Sequence, residues 1–142
     1  TVREGDAAIV EQFVDLYKKT LNDANTTLAD SIWQPGPKTS MVHPRGEDIG
    51  WENIRQHFYI DRLQKLYTER HFEFCDLDIE VYRDTAIAIY TWNFHGKLRS
   101  DGTEIEHKGR TSQTYRRMSQ EGWKILHAHI SGMPIANERQ PI

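Results

Sequence analysis

GRTSQTYRR (residues 109–117) and GWKILHAHISGMP (residues 122–134) decide how the chain reads. Both are rich in β-branched and aromatic residues and lack the i, i+3, i+4 spacing of a helix. A short polar turn over Ser119–Gly122 separates them, so they read as two neighbouring antiparallel strands, Glu104–Arg117 and Trp123–Ser131. Working back, Asp101-Gly102 is a hairpin signal, and Thr85–Leu98 before it has strand composition. Phe72 and Phe74, then Leu77, Ile79 and Val81, alternate with polar residues. Their parity shifts between Phe74 and Leu77, which predicts a bulge near Cys75. The second half is therefore a long antiparallel meander.

The first half has a different period. Ile9, Phe13, Tyr17 and Leu21 form an apolar stripe that predicts a helix over residues 5–24, with Asp6 as its N-cap. A short helix around Leu28–Trp33 stops before Pro35-Gly36-Pro37. Thr39–His43 reads as a strand ending at Pro44, and residues 46–50 as a loop. Trp51, Ile54, Phe58, Leu63 and Leu66 predict a helix over Trp51–Tyr67. Helices first and a meander after them give an α+β domain, its sheet curling over the N-terminal helices.

Two passages carry a family resemblance. MVHPRG (41–46) followed by GWENIRQHF (50–58) is similar to the strand, proline turn and helix of SnoaL-like and ketosteroid-isomerase-like proteins. GRTSQTYRR followed by Trp123, His127, His129, Ser131 and Gly132 resembles the last two strands of SnoaL-like proteins. It is also similar to the association domain of calcium/calmodulin-dependent protein kinase II. The resemblance spans about residues 5–134, with 135–142 as a C-terminal tail to a single domain over 1–142. It implies the nuclear transport factor 2-like, cystatin-like cone and a homodimer or larger homo-oligomer. A fold that hosts many functions leaves the activity to be argued from the site.

His43 stands where those isomerases carry the aspartate that moves protons next to a carbonyl, and imidazole is a fit general base at neutral pH. Tyr17 falls near their oxyanion-stabilising phenol, although it also lies on the core stripe. Strand alternation puts Arg110, Ser112 and Thr114 on one face and Thr111, Gln113 and Tyr115 on the other. A face of Arg, Ser and Thr suits a polar pocket, so Arg110 and Ser112 are expected to line it. His127 and His129 share a face of the last strand; pairing Arg116 with Trp123 would set Ser112 against His127 and Arg110 against His129. The resemblance places Trp33 and Trp51 at the cavity mouth as rings that could stack on a ligand. On the strand Thr85–Leu98, Tyr90, Trp92 and Phe94 alternate with Ile87, Ile89, Thr91 and Asn93. The aromatic face is expected in the dimer contact, and Asn93 joins the ligand-binding set.

Seven histidines raise the question of a metal. His127-x-His129 could contribute two ligands, but no third is supplied, so neither metal nor cofactor is expected. His57, His71, His95 and His107 fall outside the motifs and read as surface residues. The 142 residues carry a formal net charge of −3 and no long basic run, which argues against nucleic acid and anionic membranes. No apolar stretch approaches a membrane span. The one cysteine, Cys75, leaves no intramolecular disulfide and fits a reducing compartment. Thr1-Val2-Arg3-Glu4 is not a signal peptide; export after signal removal stays open. Three functions remain: a dimeric domain that binds an anionic or carbonyl-bearing small molecule, an isomerase, cyclase or dehydratase using His43 as base and Tyr17 or Arg110 to stabilise an enolate, and an oligomerisation module.

Overall fold

A computed structural model describes residues 5–119 and 122–134. Helix α1 (Asp6–Asp23) and helix α2 (Thr26–Ile32) come first. A hairpin of β1 (Ser40–His43) and β2 (Gly46–Ile49) follows. Helix α3 (Trp51–Asn53) runs into a π-helix (Ile54–Gln64). Four long strands complete the chain: β3 (Tyr67–Tyr82), β4 (Thr85–Leu98), β5 (Glu104–Arg117) and β6 (Trp123–Gly132). They form one curved, unclosed sheet in the order β2-β1-β6-β5-β4-β3, in which only the β1–β6 pair is parallel. The class is α+β, with the helices on one face of the sheet.

That face is set by alternation. Ala86, Ala88, Tyr90, Trp92 and Phe94 of β4 are buried, as are Gly109, Thr111, Gln113 and Tyr115 of β5. Val10, Val14, Tyr17 and Leu21 of α1 join them in the core. The bulge predicted near Cys75 is present: the β3–β4 register shifts between Cys75 and Asp78, and Asp76 takes φ 55°. A second bulge passes Leu126, so that Tyr115 pairs with Ile125 but Thr114 with His127.

Four local expectations change. Asp6 does not cap α1; Gly5 precedes the helix and the Asp6 carboxylate turns inward to Arg117, Oδ2 to Nη2 2.7 Å and Oδ1 to Nη1 3.0 Å. The acid is needed there because the guanidinium is itself buried against the Trp123 ring, 4.6 Å from its centroid. Residues 46–49 are strand, paired to β1 across a two-residue turn at Pro44-Arg45. The third helix is wound with i→i+5 bonds over Ile54–Gln64, a rare winding. It brings Tyr59, five residues after Ile54, fully into the core, and leaves Phe58 half-buried. The aromatic face of Tyr90, Trp92 and Phe94 turns toward the helices, not outward to a partner, because their inner neighbours are Phe72, Phe74 and α1.

Among the described residues no helix is long and apolar enough to cross a membrane. The C-terminal tail at 135–142 and residues 120–121 of the last hairpin turn lie outside the described residues.

Candidate functional site

Between the helices and the inner face of the sheet lies a cavity of about 840 Å³. Its walls are mostly rings and aliphatic chains: Phe58, Phe72, Phe74, Trp92 and Phe94, with Leu21, Leu63 and Ile130. Glycine makes this packing feasible at one point. A Cβ on Gly109 would overlap the Trp92 ring and the Ser131 carbonyl, so only Gly lets Trp92 lie across β5.

His43 and Tyr17 both line this cavity. His43 ends β1, and the tight turn folds β2 back so that Asp48 shares its face. Its Nε2 lies 2.9 Å from Oδ2 of Asp48. Its Nδ1 accepts the backbone N–H of Arg45 at 3.3 Å. That acceptor role leaves the ring proton on Nε2, donated to the carboxylate. The other carboxylate oxygen of Asp48 is 2.7 Å from Nδ1 of His57, so one acid spans two imidazoles. His43 and Asp48 are largely covered, with side chains 13% and 11% exposed, whereas His57 is open at 54%.

Tyr17 supplies the second polar group. Among the described residues its buried hydroxyl has no hydrogen-bond partner. Nor has the buried indole N–H of Trp92, another residue of the cavity wall. Burial first, then the neighbouring Tyr59 and Tyr115, push the Tyr17 phenol well above its ordinary value. It therefore stays a neutral O–H donor across the physiological range. Buried donors without acceptors are costly, and both belong to residues that line the cavity.

The other sequence-derived candidates lie elsewhere. Arg110 and Ser112 are exposed on the outer sheet face, because the buried partners on β5 are Thr111 and Gln113, the opposite parity from that expected. Ser112 pairs with His129 and Arg110 with Ser131, not as expected, because Arg117 rather than Arg116 faces Trp123 and the bulge at Leu126 adds a residue. His129 is exposed on that outer face. His127 shares the face and bonds through Nδ1 to Ser40 Oγ at 2.7 Å, joining β6 to β1. Desolvation, then His129, lowers its pKa. Asn93 is exposed on the outer face of β4. Trp33 and Trp51 are core: they stack at 5.4 Å and 18°, and neither lines the cavity. Trp33 Nε1 donates to Tyr59 Oη and Trp51 Nε1 to Asp30 Oδ1.

Asp48, Arg45, Arg62, His57 and His107 were missed as site residues. A two-residue turn after His43 would have identified Asp48, since it puts residues five apart on one face. Among the described residues no group of three or more His, Cys, Asp or Glu side chains could hold a metal ion.

The sequence model of the SnoaL-like domain matches residues 10–136. A nuclear transport factor 2-like superfamily protein from Salmonella enterica serovar Typhimurium superposes with a TM-score of 0.89 at 28% identity, covering 94% of each chain. A CaMKII hub from S. rosetta superposes at 0.75 with 18% identity, over 93% of this chain and 100% of that one. A type 2 hexachlorocyclohexane dehydrochlorinase (LinA) superposes at 0.76 with 17% identity, over 95% and 92%. Among curated proteins none matches the chain in sequence.

Proposed function

This chain belongs to the SnoaL-like domain family, and on that premise we propose that it binds a ring-bearing carbonyl compound in the cavity and moves a proton on it. The observation that supports the reading is that His43, held by Asp48, and Tyr17, whose hydroxyl finds no acceptor among the described residues, line one cavity. Asp48 fixes the tautomer of His43, so Nδ1 is the basic nitrogen. The Arg45 N–H that it meets lies at the long end of the hydrogen-bond range and yields to a closer substrate proton. The C–H bond next to the carbonyl breaks, its proton goes to Nδ1, its electron pair forms the C=C bond of the enolate, and the carbonyl π pair moves to the oxygen. Tyr17 O–H stabilises that oxyanion. The proton then returns to another carbon, as in an isomerase, or a leaving group departs, as in a dehydratase. A neighbour of this fold that eliminates hydrogen chloride, the dehydrochlorinase, agrees with the second course.

The test is hydrogen–deuterium exchange of enolisable cyclic ketones, followed by NMR. Exchange should fall by about 10²–10⁴-fold in His43→Ala and substantially in Tyr17→Phe. Exchange unchanged in His43→Ala would sink the assignment of the base.

A second reading concerns assembly. Ile87 and Ile89 stand 39% and 51% exposed on the outer face of β4, the face opposite the aromatic one. Paired about a two-fold axis, that face would form a homodimer. Light scattering at micromolar concentration should give twice the chain mass, and Ile89→Glu should return it to one; a wild-type monomer removes the dimer.

A further inference from the structure

The charged side chains that line the cavity are basic, and behind them the Asp48 carboxylate is taken up by His43 and His57. Arg45, Arg62 and Lys108 line the cavity together with His43 and His107, and no Asp or Glu is among the lining residues. The chain as a whole has a formal net charge of −3, so this is segregation of charge and not a basic composition. Two elements deliver the arginines: Arg45 from the β1–β2 turn and Arg62 from the end of the π-helix. Among the described residues neither guanidinium has a hydrogen bond or a carboxylate within salt-bridge distance; the bond Arg45 makes is through its backbone N–H. Arg62 is half-covered, and burial first, then the charge of Arg45, lowers its pKa. Two like charges held near one opening beside a low-dielectric wall call for an anion. The planar fork of arginine fits a carboxylate best.

We propose that the cavity takes an acidic ligand, a ring compound whose apolar body lies against Phe72, Phe74, Trp92 and Phe94 and whose carboxylate is held by Arg45 and Arg62. This rests on the reading of the cavity as a small-molecule site and adds the charge of the ligand. It also adds orientation. Cations at the arginines and a neutral donor at Tyr17 sort the two oxygen functions of one molecule. A carboxylate gains most from the former, and a carbonyl needs only the latter.

Titration calorimetry with naphthalene-2-carboxylate and its methyl ester tests this. The two share a ring body and differ in charge. On the wild-type protein the acid should bind about tenfold more tightly than the ester, and that preference should shrink as salt rises to about 0.5 M. In the double variant Arg45→Gln/Arg62→Gln both should bind with the affinity of the ester. Equal binding of acid and ester to wild type, or a preference that survives in the double variant, overturns the charge assignment and leaves the cavity reading standing. Binding of neither overturns both. The salt series on wild type decides the matter should the double variant fail to fold.

Discussion

Asp48 lies across the β1–β2 hairpin from His43, Oδ2 to Nε2 2.9 Å, and holds His57 with its other oxygen. A carboxylate that orients an imidazole acts only through it. Asp48→Asn keeps the size of the side chain but loses the charge that favours the Nε2–H tautomer. Exchange activity on a ketone should fall by about 10²-fold or more, while affinity for a non-reacting analogue stays within about twofold. His57→Ala should change the rate far less, since its ring touches Asp48 and not the cavity. Equal loss in both variants would point to hairpin damage instead.

Stability should depend strongly on Asp6. Its side chain and that of Arg117 are both buried, and the pair is bidentate. Asp6→Ala strands a buried guanidinium with Asp84 at its edge. The cost should be about 3 kcal/mol, or roughly 10 °C in Tm for a chain of this size, read by thermal denaturation.

Gly109→Ala is a small change with a large expected effect. The added methyl meets Trp92 and the Ser131 carbonyl, so either the indole or the β5–β6 pairing must move. Tm should fall and tryptophan emission should shift to the red as Trp92 meets water. Gly132→Ala, where a Cβ finds open space, is the control.

Alkali should unfold the protein steeply. Tyr17, Tyr59, Tyr90 and Tyr115 are all held above their ordinary value, each chiefly by burial. Above about pH 10 the unfolded chain releases these phenolic protons while the folded one keeps them. The stability is therefore full below the unfolded pKa and is lost as pH rises from there toward the folded values. Each phenol contributes a slope of about 1.4 kcal/mol per pH unit. Absorbance of tyrosinate and loss of near-ultraviolet circular dichroism should rise together; early ionisation of the four without unfolding would contradict the burial.

The α+β order, the four long strands and the bulge at Cys75 were legible because period and parity are properties of the sequence. The inner face of β5 was not. Arg110, Ser112 and Thr114 looked like pocket residues by polarity, yet Thr111 and Gln113 are the buried ones. Their polar side chains suit an interior whose hydrogen bonds are provided locally, as Gln113 accepts from Tyr90 and Tyr115. Which face of a polar strand turns inward is decided by the strand beside it, and a single bulge at Leu126 was enough to move the histidines relative to their partners. Of the candidate site, His43 and Tyr17 reach the cavity. Asp48 escaped because a four-residue strand is too short to show a period.

The winding of residues 54–64 decides which ring lines the cavity. With i→i+5 bonds Tyr59 follows Ile54 into the interior, where its hydroxyl takes the Trp33 N–H and donates to Thr20, while Phe58 lines the cavity. At unchanged length a tighter i→i+4 winding would exchange those places, because Phe58 is the fourth residue after Ile54 and Tyr59 the fifth. A phenyl would enter the core and a phenol the cavity wall. The wider turn therefore sets the polarity of the wall with no substitution at any lining position.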